Sequence, residues 1–171
     1  MTGPGESRAT AGEIIALLTA HGRSVATAES LTGGLLAAAL TGIPGASAAF
    51  RGGVVAYATG LKAVLLGVEP ALLDRVGAVS AEVAGAMAGG VAGRLGATFG
   101  VSTTGVAGPD PAEGKPPGTV FIAVSAGRGP GEPREPRVQR LALAGGRDDI
   151  RRETVAAALA LLLAVMREEN R

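Results

Sequence analysis

No cysteine and no tryptophan occur in the 171 residues, and histidine occurs once, at His21. Without cysteine the chain has no disulfide, no thiolate metal site and no thiol nucleophile. One histidine is too few for a His-rich metal site, and it argues against a His-based catalytic triad. Aromatics are almost as scarce, with three Phe and a single Tyr, Tyr57. No platform for stacking bases is available, and the net charge of +1 gives no electrostatic case for nucleic acid. Long hydrophobic runs are missing too. The longest, Val155 to Met166, falls short of the ~20 residues a bilayer span needs and is flanked by charge. Residues 1–10 carry no apolar segment of the signal-peptide kind and read as a flexible, frayed start. A cytoplasmic protein without membrane partners is the expectation.

What is abundant is small and aliphatic. Hydrophobic residues make up 47% of the chain, and 28 glycines are scattered without a period. The core must therefore be built from Ala, Val and Leu at close backbone distances, within one domain spanning 11–171. Helical spacing marks residues 11–20, ending at His21-Gly22, and a short apolar strand follows over 24–28. A helix over 32–40 stops at Gly42-Ile43-Pro44-Gly45, and residues 53–58 read as a second strand. Short helical pieces are expected at 60–66 and 70–76, then a helix capped by Ser80 that reaches Leu95, then a strand within 97–103. Residues 119–126 and 137–143 are two strands with no helix between them, so they must pair antiparallel. The last helix, from about Arg147 to Glu169, is apolar around much of its circumference. The fold expected is a three-layer α/β/α domain with a mixed, mostly parallel five-stranded sheet containing one antiparallel strand.

Chemistry concentrates at Thr27-Ala28-Glu29-Ser30-Leu31-Thr32-Gly33-Gly34, where a buried strand turns into a helix. Gly33 and Gly34 lack a Cβ, so a ligand can approach the backbone, and the first helical N–H groups have no intrahelical acceptor. Those amides are the expected donors to an anion or a developing oxyanion. A blander reading makes Ser30 or Thr32 a helix N-cap, worth about 1 kcal/mol. If Ser30 is a nucleophile, its base must be something other than His. Lysine is the candidate, because desolvation lowers its pKa, whereas Arg stays protonated. Only Lys62 and Lys115 occur among the 16 basic residues, and Lys62 follows Tyr57 at the end of the second strand. A solvated surface lysine and a core tyrosine are the plain alternatives for these two.

Five segments in order resemble the CinA C-terminal domain family: the Ala28 to Gly34 turn; Gly53 to Tyr57 followed by Lys62; Gly77 to Ser80; Ser102 to Pro109; and Lys115 to Val120. The likeness runs from about Glu13 to Met166. It implies a single-domain nicotinamide-nucleotide amidohydrolase that converts nicotinamide mononucleotide to nicotinic acid mononucleotide and ammonia, with no cofactor and no metal. Carried over by position, it makes Ser30 the nucleophile, Lys62 its base and Tyr57 a proton-relay or orienting hydroxyl. Thr32, Gly33, Gly34, Thr104, Gly105 and Arg147 fall to substrate binding, with Arg151 or Arg152 as alternatives to Arg147. Two departures stand out. Ala58-Thr59-Gly60-Leu61 replaces a more polar stretch before Lys62, and Pro111-Ala112-Glu113 replaces residues that are often glycine in the family. Two other classes remain open: a non-catalytic binding or oligomerisation module, and a Ser/Lys hydrolase of another small amide. The apolar circumference of the last helix further suggests a homo-oligomer, a dimer or an assembly of dimers.

Overall fold

The computed structural model describes residues 4–127 and 135–169. Its five strands are β1 (Val25–Glu29), β2 (Phe50–Val55), β3 (Phe99–Gly105), β4 (Thr119–Ala126) and β5 (Arg137–Ala142). They lie in the order β2-β1-β3-β4-β5. β1 pairs in parallel with β2 and β3, whereas β4 is antiparallel to both β3 and β5. β4 thus runs against the other four strands, as the sequence reading of the last two strands expects. The helices are α1 (Pro4–Ala20), α2 (Leu35–Thr41), α3 (Thr59–Leu66), α4 (Pro70–Val76), α5 (Ala81–Leu95) and α6 (Arg147–Glu169).

Alternation along each strand sorts the helices into two layers. Val25, Phe99, Val101, Val120, Ile122 and Val124 face α1, α2 and α6 in one core. Ala26, Ala28 and Ala123 face the other way, toward α3, α4 and α5. This second layer explains the supply of small residues. A Cβ at Gly100 would collide with the Ala88 carbonyl of α5, and one at Gly90 with the Leu66 carbonyl of α3. Helix α5 therefore rests almost directly on the sheet, and Ser102 reaches it through an Oγ to Ala84 carbonyl bond of 2.6 Å.

Several boundaries differ from the sequence reading. α1 begins at Pro4 and not Ala11, so residues 4–10 are helical where a frayed start was expected. α2 begins at Leu35, three residues late, because residues 31–34 form a turn in which Gly33 and Gly34 both adopt positive φ. β2 starts at Phe50, ahead of the expected Gly53. Ser80 caps α5 as anticipated, accepting from the Val83 N–H at 3.3 Å. The Gly/Pro/Arg-rich connection between β4 and β5 lies, over 128–134, outside the described residues.

Helix α6 also corrects an expectation. Its large apolar residues from Ile150 to Met166 are buried within the same chain, in the core formed with α1, α2 and the sheet, and only the alanines Ala160 and Ala164 reach the surface. The physical motive for an interface on α6 disappears, since no broad apolar stripe is left in water. No helix among the described residues is long and apolar enough to cross a membrane.

Candidate active site

The carboxyl ends of β1 and β3, together with the segment after β2, open onto a cleft of about 240 Å3. Such an end is where open α/β sheets place their ligands. Its walls include Ser30, Tyr57, Lys62, Thr104, Glu113 and Arg147.

Lys62 is the decisive member. It sits in the first half of α3, 1% exposed, and its Nζ lies 3.1 Å from Ser30 Oγ. Two carbonyls hold the same nitrogen, Ala56 O at 2.8 Å and Tyr57 O at 3.5 Å. An amine whose two N–H groups point at carbonyls has one remaining position, and here that position faces the serine hydroxyl. Burial pushes the Lys62 ammonium below the ordinary lysine value, while the charge of Glu113 pulls it back up. Residues 32 apart in sequence thus put a serine hydroxyl in contact with a titratable amine. Lys115, the other lysine, lies outside the cleft walls.

The turn carrying Ser30 is built around Glu29. This carboxylate is 1% exposed, and it accepts from Thr32 Oγ1 at 2.6 Å, Gly34 N–H and Leu36 N–H at 3.0 Å, and Ala37 N–H at 2.8 Å. A buried anion at a helix N-terminus is favoured by the orphan amides and the helix dipole together. The amides of α2 assigned in advance to an oxyanion are therefore occupied. Leu31 N–H and Thr32 N–H, which follow the serine directly, have no acceptor among the described residues. Arg151 holds the Leu31–Thr32 and Thr32–Gly33 peptides, donating from Nε to Leu31 O and from Nη2 to Thr32 O, both at 3.0 Å, while Ser30 O, in the plane of the Leu31 N–H, accepts from Gly33 N–H at 3.1 Å.

The other residues assigned to substrate binding divide into two groups. Thr104, Gly105 and Arg147 line the cleft, but Thr32, Gly33 and Gly34 do not. The Thr32 hydroxyl is buried between Glu29 and Thr103, and the two glycines shape the turn. Thr104 Oγ1 donates to Ala78 O at 2.7 Å. Arg147 donates to Gly108 O and to the Tyr57 hydroxyl, each at 2.7 Å. Tyr57 thus lines the cleft with its hydroxyl on Arg147, and its contact with Lys62 is through the main chain. Arg152 is committed to an ion pair with Asp149 on the helix surface.

Two residues at this site escaped the sequence reading. Glu29 stands beside the serine in a strand that is buried throughout, and a charge there needs donors; the neighbouring helix start was the signal. Glu113 entered only as a departure in a loop. Its two carboxylate oxygens accept from Ala78 N–H and Val79 N–H at 3.0 Å, pinning the 108–115 loop to the turn before α5.

The sequence profile of the CinA C-terminal domain matches residues 7–166. The chain belongs to the CinA C-terminal domain family. CinA-like proteins of Frankia casuarinae and Gloeobacter violaceus are 50% identical over 149 residues and 51% identical over 148 residues. These alignments cover 82% and 86% of this chain but 34% of each relative, so it spans about a third of their length. Among solved structures, the competence/damage inducible protein CihA of Agrobacterium tumefaciens superposes with a TM-score of 0.88 at 40% identity, covering 94% of this chain and 96% of its own. A competence or damage-inducible protein of Enterobacter asburiae gives 0.85 at 31% identity, with 95% and 97% coverage.

Proposed function

We propose that this CinA-family domain is an amidohydrolase that deamidates nicotinamide mononucleotide to nicotinic acid mononucleotide and ammonia. The observation that carries the reading is the buried Lys62 Nζ at 3.1 Å from Ser30 Oγ, with its two other directions held by carbonyls. Neutral Lys62 takes the Ser30 proton as Oγ bonds to the carboxamide carbon. Leu31 and Thr32 N–H groups receive the oxyanion, at roughly 3 kcal/mol per well-placed donor. The C–N bond then breaks, Lys62 returns its proton to the nitrogen, and ammonia leaves a serine ester. Water, deprotonated by the same lysine, hydrolyses that ester and restores Ser30.

The substrate follows from the family resemblance, and the charges of the cleft are compatible with it. Arg147 offers a guanidinium to a phosphate, while Asp110 and Glu113 place carboxylates in a cleft that would receive a cationic pyridinium ring. Tyr57 orients Arg147 in this reading. An ammonia-release assay on nicotinamide mononucleotide, with the riboside and free nicotinamide beside it, tests the assignment. Turnover of the mononucleotide well above both controls is expected. No release from the mononucleotide by folded protein refutes it.

A further inference from the structure

Arg151 stands where a cation is least expected. It lies in the second turn of α6, and its guanidinium meets the turn that opens α2, so it is near the N-terminal ends of two helices, where positive charge is disfavoured. Its ion-pair partner Asp148 is 3.8 Å from Nη1 and 81% exposed, too open to hold it firmly. The main chain holds it instead, through Leu31 O and Thr32 O at 3.0 Å each. The guanidinium lies against the bare face of Gly33, where a Cβ would come 3.4 Å from Nη2.

A peptide plane carries the carbonyl of one residue and the N–H of the next, pointing opposite ways. Leu31 O therefore shares its plane with Thr32 N–H, and Nε polarises that donor directly. Thr32 O shares its plane with Gly33 N–H, which donates to Ser30 O at 3.1 Å, and Ser30 O shares its plane with Leu31 N–H. Nη2 thus reaches Leu31 N–H through two peptides. Hydrogen bonds in a chain polarise one another, and a charged donor at its head strengthens the effect. Both N–H groups left without an acceptor beside Ser30 therefore end chains that begin on one guanidinium. Glu29 supplies the reason for a cation. It is a buried carboxylate on the same turn, accepting from Thr32 Oγ1 and Gly34 N–H, and it repels any oxyanion that develops beside it.

We propose that Arg151 is a positioning residue for the oxyanion of the Ser30 reaction: it aims and polarises the Leu31 and Thr32 N–H groups and offsets the field of Glu29. It is not among the residues that wall the cleft, so it acts through the main chain and not on the substrate. The inference rests on Ser30 being the nucleophile of the proposed amidase, whichever amide is cleaved.

Arg151→Met removes both the charge and the fork. In ammonia release from nicotinamide mononucleotide its kcat should fall about thirtyfold, less than deletion of an oxyanion donor costs, with KM held within about twofold. Arg151→Lys keeps the charge but lacks the planar fork that grips two carbonyls, and its kcat should fall about fivefold. Circular dichroism and urea unfolding check that both variants fold. Phenylmethanesulfonyl fluoride gives a second readout without an amide: Ser30 Oγ bonds to sulfur, its proton passes to Lys62 and fluoride leaves, while negative charge grows on a sulfonyl oxygen. Intact mass and peptide mapping follow the adduct on Ser30, with Ser30→Ala as the blank, and Arg151→Met should slow its formation by a similar factor.

A folded Arg151→Met with wild-type kcat, or with a raised KM and unchanged kcat, overturns the inference and leaves the amidase reading standing. If Arg151→Met fails to fold, Arg151→Lys decides, and a wild-type kcat there overturns it. A wild type that releases no ammonia from the mononucleotide refutes the amidase reading, and the sulfonylation rates then judge Arg151 by themselves. Equal rates in wild type and Arg151→Met, or no adduct at Ser30 of the wild type, overturn the inference in that case.

Discussion

Glu29→Gln removes a charge and changes one oxygen into an NH2 group at a place where every neighbour is a donor. The carboxylate accepts four hydrogen bonds, three at Oε2 and one at Oε1. The least costly orientation of glutamine keeps its oxygen toward Thr32, Gly34 and Leu36. Its NH2 then opposes the Ala37 N–H, which the carboxylate now binds at 2.8 Å. One charge-assisted bond is lost, at about 2 kcal/mol, and two buried donors are left facing each other, at roughly 1–3 kcal/mol more. The total is about 4 kcal/mol, a large part of the ~5–15 kcal/mol by which domains are stable. With a urea slope of ~2 kcal/mol per molar, the unfolding midpoint should fall by about 2 M. Equilibrium urea unfolding followed by circular dichroism measures this. A fall below ~0.5 M would refute the reasoning, because α2 would then hold its first turn without the carboxylate.

Ser30→Ala should abolish ammonia release while costing only about 1 kcal/mol of stability, the worth of one hydrogen bond to Lys62; a folded variant with near wild-type turnover removes Ser30 from the chemistry. Lys62→Arg should be nearly as inactive as Lys62→Ala, since a guanidinium keeps the charge but not the titratable base, and substantial activity in the arginine variant would reduce Lys62 to a charge. The lowered Lys62 pKa also fixes a sign: the folded chain binds this proton less well than the unfolded one, whose lysine titrates near 10.5. The penalty of the buried ammonium is therefore full below the folded-state pKa and fades as pH rises toward 10.5, so Lys62→Met should stabilise most at low pH and not at all above it. Urea midpoints of the two proteins across pH check this, and a constant difference would show that Lys62 is not desolvated. Arg147→Gln should raise KM for nicotinamide mononucleotide about tenfold and leave the riboside unaffected, consistent with the loss of a charge-assisted phosphate contact worth ~1.4 kcal/mol; equal losses on both substrates would exclude phosphate recognition.

The sheet, its single reversed strand and the order of the helices were legible in the chain because each rests on a local signal. Periodicity gave α5 and α6, glycine punctuation ended α2, and the Gly/Pro-rich composition between Ala126 and Arg137 left no helical pattern there, so β4 and β5 read as an antiparallel pair. Ser30, Lys62 and Arg147 were legible as residue types in a recognisable order, and they do line one cleft. Boundaries were less so. The start of α1 at Pro4 lacks an apolar stripe to announce it, and the late start of α2 depends on two positive-φ glycines and a carboxylate four residues before them.

The sequence by itself determined which side chains are on offer: no cysteine, one histidine and two lysines, with Ser30 in a Gly-rich stretch read as a strand-to-helix turn. Only the tertiary structure decided how donors and surfaces were used. The α2 amides that looked free are consumed by Glu29, Thr32 is buried between Glu29 and Thr103, and the Tyr57 hydroxyl belongs to Arg147. In the same way α6 is covered by its own chain, while the uncovered apolar face lies on β2 and α3. Hydrophobic periodicity records that a residue is to be buried or that an amide needs an acceptor. Which partner supplies the burial or the acceptor depends on distances between segments tens of residues apart, and those exist only once the chain has packed.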